Sequence, residues 1–222
     1  MVVRPKAVAF DIIGTTFSLE PVGTALAKIG FPEHALEIWF AWTLLDAFAL
    51  AATETFAPFR DLFDSNLGEL AQSQSLSLTT EQKEQVLGQF AALPAHTDAV
   101  QAFQTLSDAG IRIFALSNGA AATSRKLLER ARLIDFVEQI VSVDDIRVFK
   151  PRRDIYLHAA RVAGVAASEI ALIAAHAWDV HGAKRAGLMA GFVARGQRFP
   201  DMMQAPDVIG DSLLDVARAF AA

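Results

Sequence analysis

The sequence contains no cysteine and only one tyrosine, Tyr156, among its 222 residues. The absence of thiols excludes disulfides, thiolate metal ligands and a cysteine nucleophile, and it suits a reducing compartment. Lysine and arginine form no basic run, and the formal net charge is −5, so nucleic acid is not an expected partner. The opening stretch MVVRPKAVAFD lacks the apolar length of a signal peptide, and we therefore expect a cytoplasmic protein.

A long apolar segment, ALEIWFAWTLLDAFALAA at residues 35–52, approaches the length of a membrane span. Glu37 and Asp46 interrupt it, and acidic side chains are costly inside hydrocarbon. The segment also lacks basic flanks. We therefore predict a buried helix of a soluble protein and no membrane partner.

The chain after residue 95 alternates short β-rich runs with amphipathic helical stretches. The runs are IRIFALSN (111–118), EQIVSV (138–143), EIALIAA (169–175) and AGFVAR (190–195). This alternation predicts an α/β fold, a Rossmann-like, doubly wound parallel sheet with helices on both faces. The stretch KAVAFD, which ends on Asp11, would supply the first strand.

The block between the first strand and the rest is rich in Phe, Leu, Ala and Trp at helical spacing. Pro32, Pro58 and Pro94 mark its turns, and Thr79 begins a helix with an N-cap signature. We therefore predict an all-helical cap at residues 16–95, inserted into a core made of residues 1–15 and 96–222.

Polar side chains recur where the predicted strands end. Ligands bind beyond the carboxyl ends of the strands in open parallel sheets, so these side chains would share one crevice. Each one alone could be a turn, cap or surface residue. Their recurrence favours a common site, which would contain Asp11, Thr15, Ser117, Asn118, Lys150 and Asp179.

Four stretches, AFDIIGTTF, ALSNG, KPRRDIY and AAHAWDVHGAKRAG, resemble in this order the motifs of the haloacid dehalogenase superfamily. The last three are similar to the branch of L-2-haloacid dehalogenases, whose helical cap follows the first motif. The resemblance spans nearly the whole chain. It implies that Asp11 is a nucleophile, and that Tyr156 falls where the branch has a site tyrosine, although Tyr156 could equally be a packing residue.

Most members of the superfamily are Mg²⁺ phosphatases, and the sequence departs from them at two positions. Ile13 stands where the phosphatases have a general acid, and Ala175 stands where they have a metal ligand. Neither side chain can supply the oxygen ligands that Mg²⁺ needs. We therefore predict a reaction without a metal or another cofactor.

The predicted reaction is hydrolytic dehalogenation of a small 2-haloacid. Asp11 would displace the halide from C2, and water would hydrolyse the resulting ester. Lys150 and Thr15 would keep Asp11 ionised, and Asp179 would orient Lys150 or the water. Ser117 and Asn118, at the end of the second strand, are predicted substrate contacts.

The resemblance fails at the cap arginine that receives the halide in this branch, because no arginine occurs between Arg4 and Arg60. Phe40 or Trp42 would take its place as a substrate contact, or Arg60 would reach in from further along. His176 replaces an asparagine of the branch; it would contact substrate or water, or be a neutral histidine satisfied by the backbone.

Two further hypotheses remain open. The first is a phosphatase with rearranged metal ligands. The second is a non-catalytic protein that binds a small anion or a partner protein through its cap. The aromatic stretch at residues 39–48 is expected to form the cap core or a homodimer contact rather than another interaction surface.

Overall fold

The computed structural model describes residues 3–222 of the chain. Its centre is a six-stranded, all-parallel sheet of order β3-β2-β1-β4-β5-β6. The predicted doubly wound α/β fold is confirmed. The strands are β1 (Ala7–Asp11), β2 (Arg112–Ser117), β3 (Val137–Ser142), β4 (Ile170–Ala174), β5 (Met189–Val193) and β6 (Val208–Gly210).

Nine α-helices accompany the sheet in the described part of the chain. Short 3-10 turns at 89–91, 134–136, 143–145 and 167–169 join some of the elements. The helices are α1 (Glu20–Lys28), α2 (Ala35–Ala52), α3 (Phe59–Ser73), α4 (Thr80–Gly88), α5 (Ala99–Asp108), α6 (Ala121–Arg130), α7 (Arg153–Ala163), α8 (Ala177–Ala186) and α9 (Leu213–Ala221).

The central strands are buried on both faces, as a parallel sheet covered by helices requires. All five residues of β1, β4 and β5 are buried, which accounts for their continuous apolar runs. The switch in strand order lies between β1 and its neighbours β2 and β4, which places the end of β1 at the crevice. The sequence analysis did not predict β6, a three-residue edge strand, or the helix α9 that follows it.

Residues 16–95 contain four α-helices, and the chain enters and leaves this block at one point. The Ser18 amide donates to the Pro94 carbonyl at 2.9 Å, and the His96 amide donates to the Thr16 carbonyl at 3.0 Å. Thr79 caps α4 as predicted, because its hydroxyl and the Gln82 side chain bond each other's backbone amides. The division into a cap at 16–95 and a core stays a prediction.

The long apolar helix α2 packs among the other helices of this block. A third of its residues are buried. The indole N–H of Trp39, which is fully buried, donates to the Phe63 carbonyl at 3.0 Å, and the two rings meet edge to face. These contacts favour a helix of a soluble protein over a membrane span, although α2 has the length and composition of one.

Candidate active site

The structure places Asp11 at the carboxyl end of β1, where its side chain is almost fully buried. The chain then turns through Gly14, which has a φ of +81°, a conformation that favours glycine. This turn returns Thr15 to the carboxylate, and the Thr15 hydroxyl donates to Asp11 Oδ2 at 2.6 Å. The Ala175 amide in turn donates to Thr15 Oγ1 at 2.9 Å. The Thr15 hydroxyl is therefore held in place, with its proton directed at the Asp11 carboxylate.

Lys150 supplies the positive charge of the site. Its ammonium group lies 3.0 Å from Asp11 Oδ1 and 2.8 Å from Asp179 Oδ2, and all three side chains are buried. The Lys150 amide donates to Asn118 Oδ1 at 3.1 Å, which fixes the loop that carries the lysine to the end of β2. A buried lysine with two carboxylate partners stays charged, whereas an unpaired one would lose its proton.

Tyr156 and Asp179 form a second layer behind Lys150. The Tyr156 hydroxyl donates to Asp179 Oδ1 at 2.6 Å, and Asp179 Oδ2 accepts from Lys150. Both oxygens of the Asp179 carboxylate are thus in use. Of the two roles predicted for Asp179, this geometry favours the orientation of Lys150 over the positioning of water.

Burial and paired charges set the protonation of these groups. Burial acts to raise the pKa of Asp11, but Lys150 and the hydrogen bonds from His176 and Thr15 outweigh it and hold that pKa well below 3.8. Burial acts to lower the pKa of Lys150, and the two carboxylates raise it overall. Burial and the charge of Asp11 raise the pKa of Asp179, against the effect of Lys150. Asp11 is consequently ionised and Lys150 protonated at neutral pH.

The end of β2 supplies Ser117 and Asn118, which both line the pocket that the Asp11 carboxylate faces. Ser117 is buried, and its hydroxyl oxygen accepts from the Gly119 amide at 2.9 Å. A hydroxyl that accepts in this way keeps its own proton available for a ligand. This placement is compatible with the predicted contact to a substrate carboxylate.

His176 follows β4 and contacts the Asp11 carboxylate at Oδ2, whereas Lys150 contacts the other oxygen, Oδ1. Its Nδ1 lies 3.0 Å from Asp11 Oδ2, and because an ionised carboxylate only accepts, Nδ1 is the donor. The imidazole stacks against Phe40 and Trp178, with ring centroids 5.7 and 5.4 Å apart. It therefore contacts the site and is not a histidine satisfied by the backbone.

Gly14 makes room for that imidazole. A Cβ atom at residue 14 would lie 2.9 Å from both Cε1 and Nε2 of His176, which is closer than side chains approach each other. The glycine thus serves both the turn after β1 and the placement of His176 against Asp11.

A small pocket of about 20 Å³ lies over the Asp11 carboxylate. This volume holds about one water molecule. Five of the predicted site residues line it, and the sequence analysis did not select the other five as site residues. The full lining is Asp11, Ile13, Phe40, Leu44, Phe59, Ser117, Asn118, Gly119, His176 and Trp178.

Two predicted substrate contacts do not line this pocket. Trp42 lies two residues after Phe40 on α2 and therefore faces another side of the helix, and Tyr156 is buried behind Asp179. Arg60 does not line the pocket either. It pairs with Glu84 at 2.7 Å and lines a separate cavity of about 180 Å³, which shares Ile13, Phe59 and Gly119 with the pocket. The lining of this pocket thus takes Phe40, Leu44 and Phe59 from the helical block at residues 16–95, and it contains no arginine.

The Mg²⁺ that most members of the superfamily use does not fit this donor set. The apolar side chain of Ile13 lines the pocket, and Ala175 contributes no side-chain oxygen. The ammonium of Lys150 lies between the carboxylates of Asp11 and Asp179, where it already pairs with both.

Comparison with known proteins identifies the family. The model of haloacid dehalogenase-like hydrolases matches residues 5–187. The (S)-2-haloacid dehalogenase of Xanthobacter autotrophicus is 31% identical over 196 residues, which cover 86% of this chain and 75% of that protein. The (S)-2-haloacid dehalogenase of Pseudomonas sp. strain YL is 26% identical and aligns over 97% of this chain and 94% of its own.

Solved structures give the same result. The L-2-haloacid dehalogenase from Xanthobacter autotrophicus with chloropropionic acid covalently bound superimposes with a TM-score of 0.87 at 27% identity, over 96% of this chain and 97% of that one. A dehalogenase with an intermediate complex has the same fold, with a TM-score of 0.92 at 24% identity over the full length of both chains. The four motifs, the site geometry and these matches together show that the chain belongs to the haloacid dehalogenase-like hydrolase family.

Proposed function

We propose that the protein hydrolyses the carbon–halogen bond of a small 2-haloacid through an ester on Asp11, without a metal. One observation carries this proposal: a buried carboxylate, held ionised by Lys150, opens onto a pocket that offers no second acid. The relatives named above are dehalogenases, which supports the same reaction. Such an enzyme fits the cytoplasm and a small anionic substrate.

In the first step a carboxylate oxygen of Asp11 attacks C2, the C–X bond breaks, and the halide leaves with the bonding electron pair. A halide leaves without a proton, so the step needs no general acid. Oδ2 already accepts from Thr15 and His176, whereas Oδ1 accepts from Lys150 alone. We therefore assign the attack to Oδ1, which keeps a lone pair free.

In the second step water attacks Cγ of the ester. Oδ2 then carries the developing negative charge, and the Thr15 hydroxyl and His176 Nδ1 already point at this atom from 2.6 and 3.0 Å. Preorganised donors of this kind stabilise an oxyanion effectively, because they need no reorganisation during the reaction. The ester then breaks to a 2-hydroxyacid and the free Asp11 carboxylate, with one proton released to solvent.

The substrate acid would bind at the end of β2. The Ser117 hydroxyl, with the neighbouring main-chain amides, offers donors to its carboxylate, and Phe40, Phe59 and Trp178 would exclude water around C2. A dry pocket favours displacement because a hydrated carboxylate is a poorer nucleophile.

The test is halide release from chloro-, bromo- and fluoroacids of both configurations, measured with EDTA present. We expect release that resists the chelator, that is lost in Asp11→Asn, and that persists in the surface variant Asp64→Asn. A single turnover in H₂¹⁸O with excess enzyme should give a product that contains unlabelled hydroxyl oxygen, because that oxygen comes from Asp11. Labelled product in the first turnover, or full activity in Asp11→Asn, would refute the ester mechanism.

A further inference from the structure

A second and larger cavity, of about 460 Å³, adjoins the pocket over Asp11. Its walls come from the turn after β1, from α2 and from the end of β5. Three side chains, Phe40, Leu44 and His176, line both the pocket and the cavity. The two spaces therefore adjoin each other at these side chains, and the cavity lies next to the pocket over Asp11 on the His176 side.

Arg195, two residues after β5, contributes a positive charge to this cavity. It is half-buried, and its guanidinium donates to the carbonyls of Gly14 and Thr15 at 3.3 and 2.7 Å. Across residues 3–222, no carboxylate pairs with it within 4.0 Å, although Asp98 is near enough for its charge to raise the Arg195 pKa against the larger, lowering effect of burial. A guanidinium has five N–H donors, so three remain beyond the two carbonyl contacts.

The backbone at Arg195 is also unusual. Its φ of +45° lies in the left-handed region that non-glycine residues rarely adopt. Such conformations persist where the surroundings impose them, often at functional sites. In this protein the residue with the left-handed backbone is also the one whose side chain contacts the turn after β1, at the carbonyls of Gly14 and Thr15.

The other charged and titratable groups on the cavity wall are few. Glu37 lies exposed on α2, and the two histidines are His96 and His176. Burial and the charge of Arg195 lower the pKa of His96, so His96 is neutral at pH 7. Arg195 is the one permanent cation in the lining of this cavity, and Glu37 is the one acid.

We propose that this cavity is an anion-binding vestibule in which Arg195 holds a small monovalent anion, either a halide or a short carboxylate, next to the reaction centre. This inference rests on the proposed function for its biological meaning. A halide displaced at C2, or the hydroxyacid product, would reach this cavity past the side chains of His176 and Phe40. Arg195 thus supplies a positive charge beside the reaction centre, from the segment that follows β5.

The site can be tested by equilibrium binding, without turnover. Bromide and a short 2-hydroxycarboxylate are titrated separately into the resting enzyme by calorimetry, and crystals soaked in bromide locate the ion by anomalous scattering. The two titrations distinguish a halide site from a carboxylate site. We expect binding to weaken by about tenfold or more in Arg195→Gln, and to strengthen in Glu37→Gln because an opposing charge is removed.

Arg195 also holds the turn after β1, so a second variant is needed that leaves it in place. Ala41→Phe fills the cavity from α2, and Ala49→Phe places the same ring on the exposed side of that helix, outside the cavity. We expect Ala41→Phe to abolish bromide binding and Ala49→Phe to preserve it. Unchanged binding in Arg195→Gln, or unchanged binding in Ala41→Phe, would overturn the vestibule. Absent halide release by the wild-type enzyme would instead refute the proposed function, while the titrations still report on the site.

Discussion

At the scale of single residues, the charge balance at Asp11 depends on Lys150. One buried ammonium group is shared by two buried carboxylates, and each carboxylate has further donors in Thr15, His176 or Tyr156. In residues 3–222 no buried side-chain polar atom lacks a hydrogen-bond partner. Removal of Lys150 or Tyr156 therefore leaves a buried carboxylate oxygen without its donor, which makes the site sensitive to conservative substitutions at these residues.

Lys150→Met should destabilise the fold in a pH-dependent way. It leaves Asp11 and Asp179 buried without a cation, which costs about 3–5 kcal/mol near neutral pH. In the wild type Lys150 holds the pKa of Asp11 below its unfolded value, so this stabilisation is present above pH 3.8 and is lost only below it. In the variant, burial raises both pKa values, and protonation then relieves the cost.

We therefore expect the difference in unfolding free energy to shrink from about pH 8 to about pH 5, as followed by urea denaturation. Lys83→Met is the matched control, because Lys83 pairs with Asp64 on the surface at 3.4 Å, and its loss should cost less than about 1 kcal/mol at either pH. A pH-independent difference for Lys150→Met would contradict the assigned protonation states.

Tyr156→Phe should shift the pH dependence of the reaction. The Tyr156 hydroxyl lowers the pKa of Asp179 against the effect of burial, so its removal raises that pKa. If ionised Asp179 orients Lys150, the acidic side of the pH profile of kcat moves to higher pH, and kcat falls by roughly tenfold at neutral pH. A merely structural role of Tyr156 would lower kcat or stability without shifting the pH profile. Steady-state rates measured across pH distinguish this role from an effect on the ionisation of Asp179.

At the scale of elements, the contact between α7 and α8 keeps this arrangement in place. Gly182 on α8 faces Tyr156 on α7, and a Cβ atom there would lie 2.5 Å from the tyrosine oxygen and 2.7 Å from Pro151 Cβ. Neither neighbour can withdraw, since the tyrosine is fully buried and the proline adjoins Lys150. A glycine at this position is therefore a condition for the placement of both Lys150 and Asp179.

Gly182→Ala is expected to destabilise the protein by about 1–3 kcal/mol and to reduce halide release more than this loss of stability explains. Gly88→Ala is the matched control on α4, where the backbone is helical and a Cβ would meet no atom within 4 Å; it should stabilise by about 0.5–1 kcal/mol. Thermal denaturation and initial rates test both variants. Wild-type rates in Gly182→Ala would show that the α7–α8 contact does not position the site.

The sequence predicted the sheet and the convergence at Asp11 because periodicity and strand ends are local signals. It did not predict β6, whose three residues are too short for a pattern, or α9 behind it. It did not predict Arg195 as a site residue, because the contact of Arg195 with Gly14 and Thr15 joins residues about 180 positions apart in the chain. Of the two α2 residues predicted as substrate contacts, Phe40 lines the pocket and Trp42 does not, because the face of α2 that meets the core depends on packing rather than on spacing.

At the scale of the whole molecule, the pocket over Asp11 is too small for a substrate. Its volume of about 20 Å³ admits about one water molecule, whereas small-molecule sites usually span several hundred Å³. The helical block contacts the rest of the chain through Phe48 against Trp178, which lines the pocket, and through Arg152, which contacts the Ala51 carbonyl and Glu54. We therefore expect substrate to enter when these contacts separate, as in enzymes whose lids close over the reaction.

A cross-link between the two parts should stop turnover reversibly. The chain has no cysteine, so Glu54→Cys with Arg152→Cys introduces the only two thiols, at residues whose long side chains meet in the structure with Arg152 Nη1 3.5 Å from Glu54 Oε1. A short bis-maleimide linker with a cleavable disulfide should abolish halide release, and reduction of the linker should restore it. Each single-cysteine variant, treated with the same reagent, should keep its activity, because one thiol cannot tie the helical block to the core. Full activity in the cross-linked enzyme would mean that substrate reaches Asp11 without separation of these parts, and the cavity beside Arg195 would then be the route.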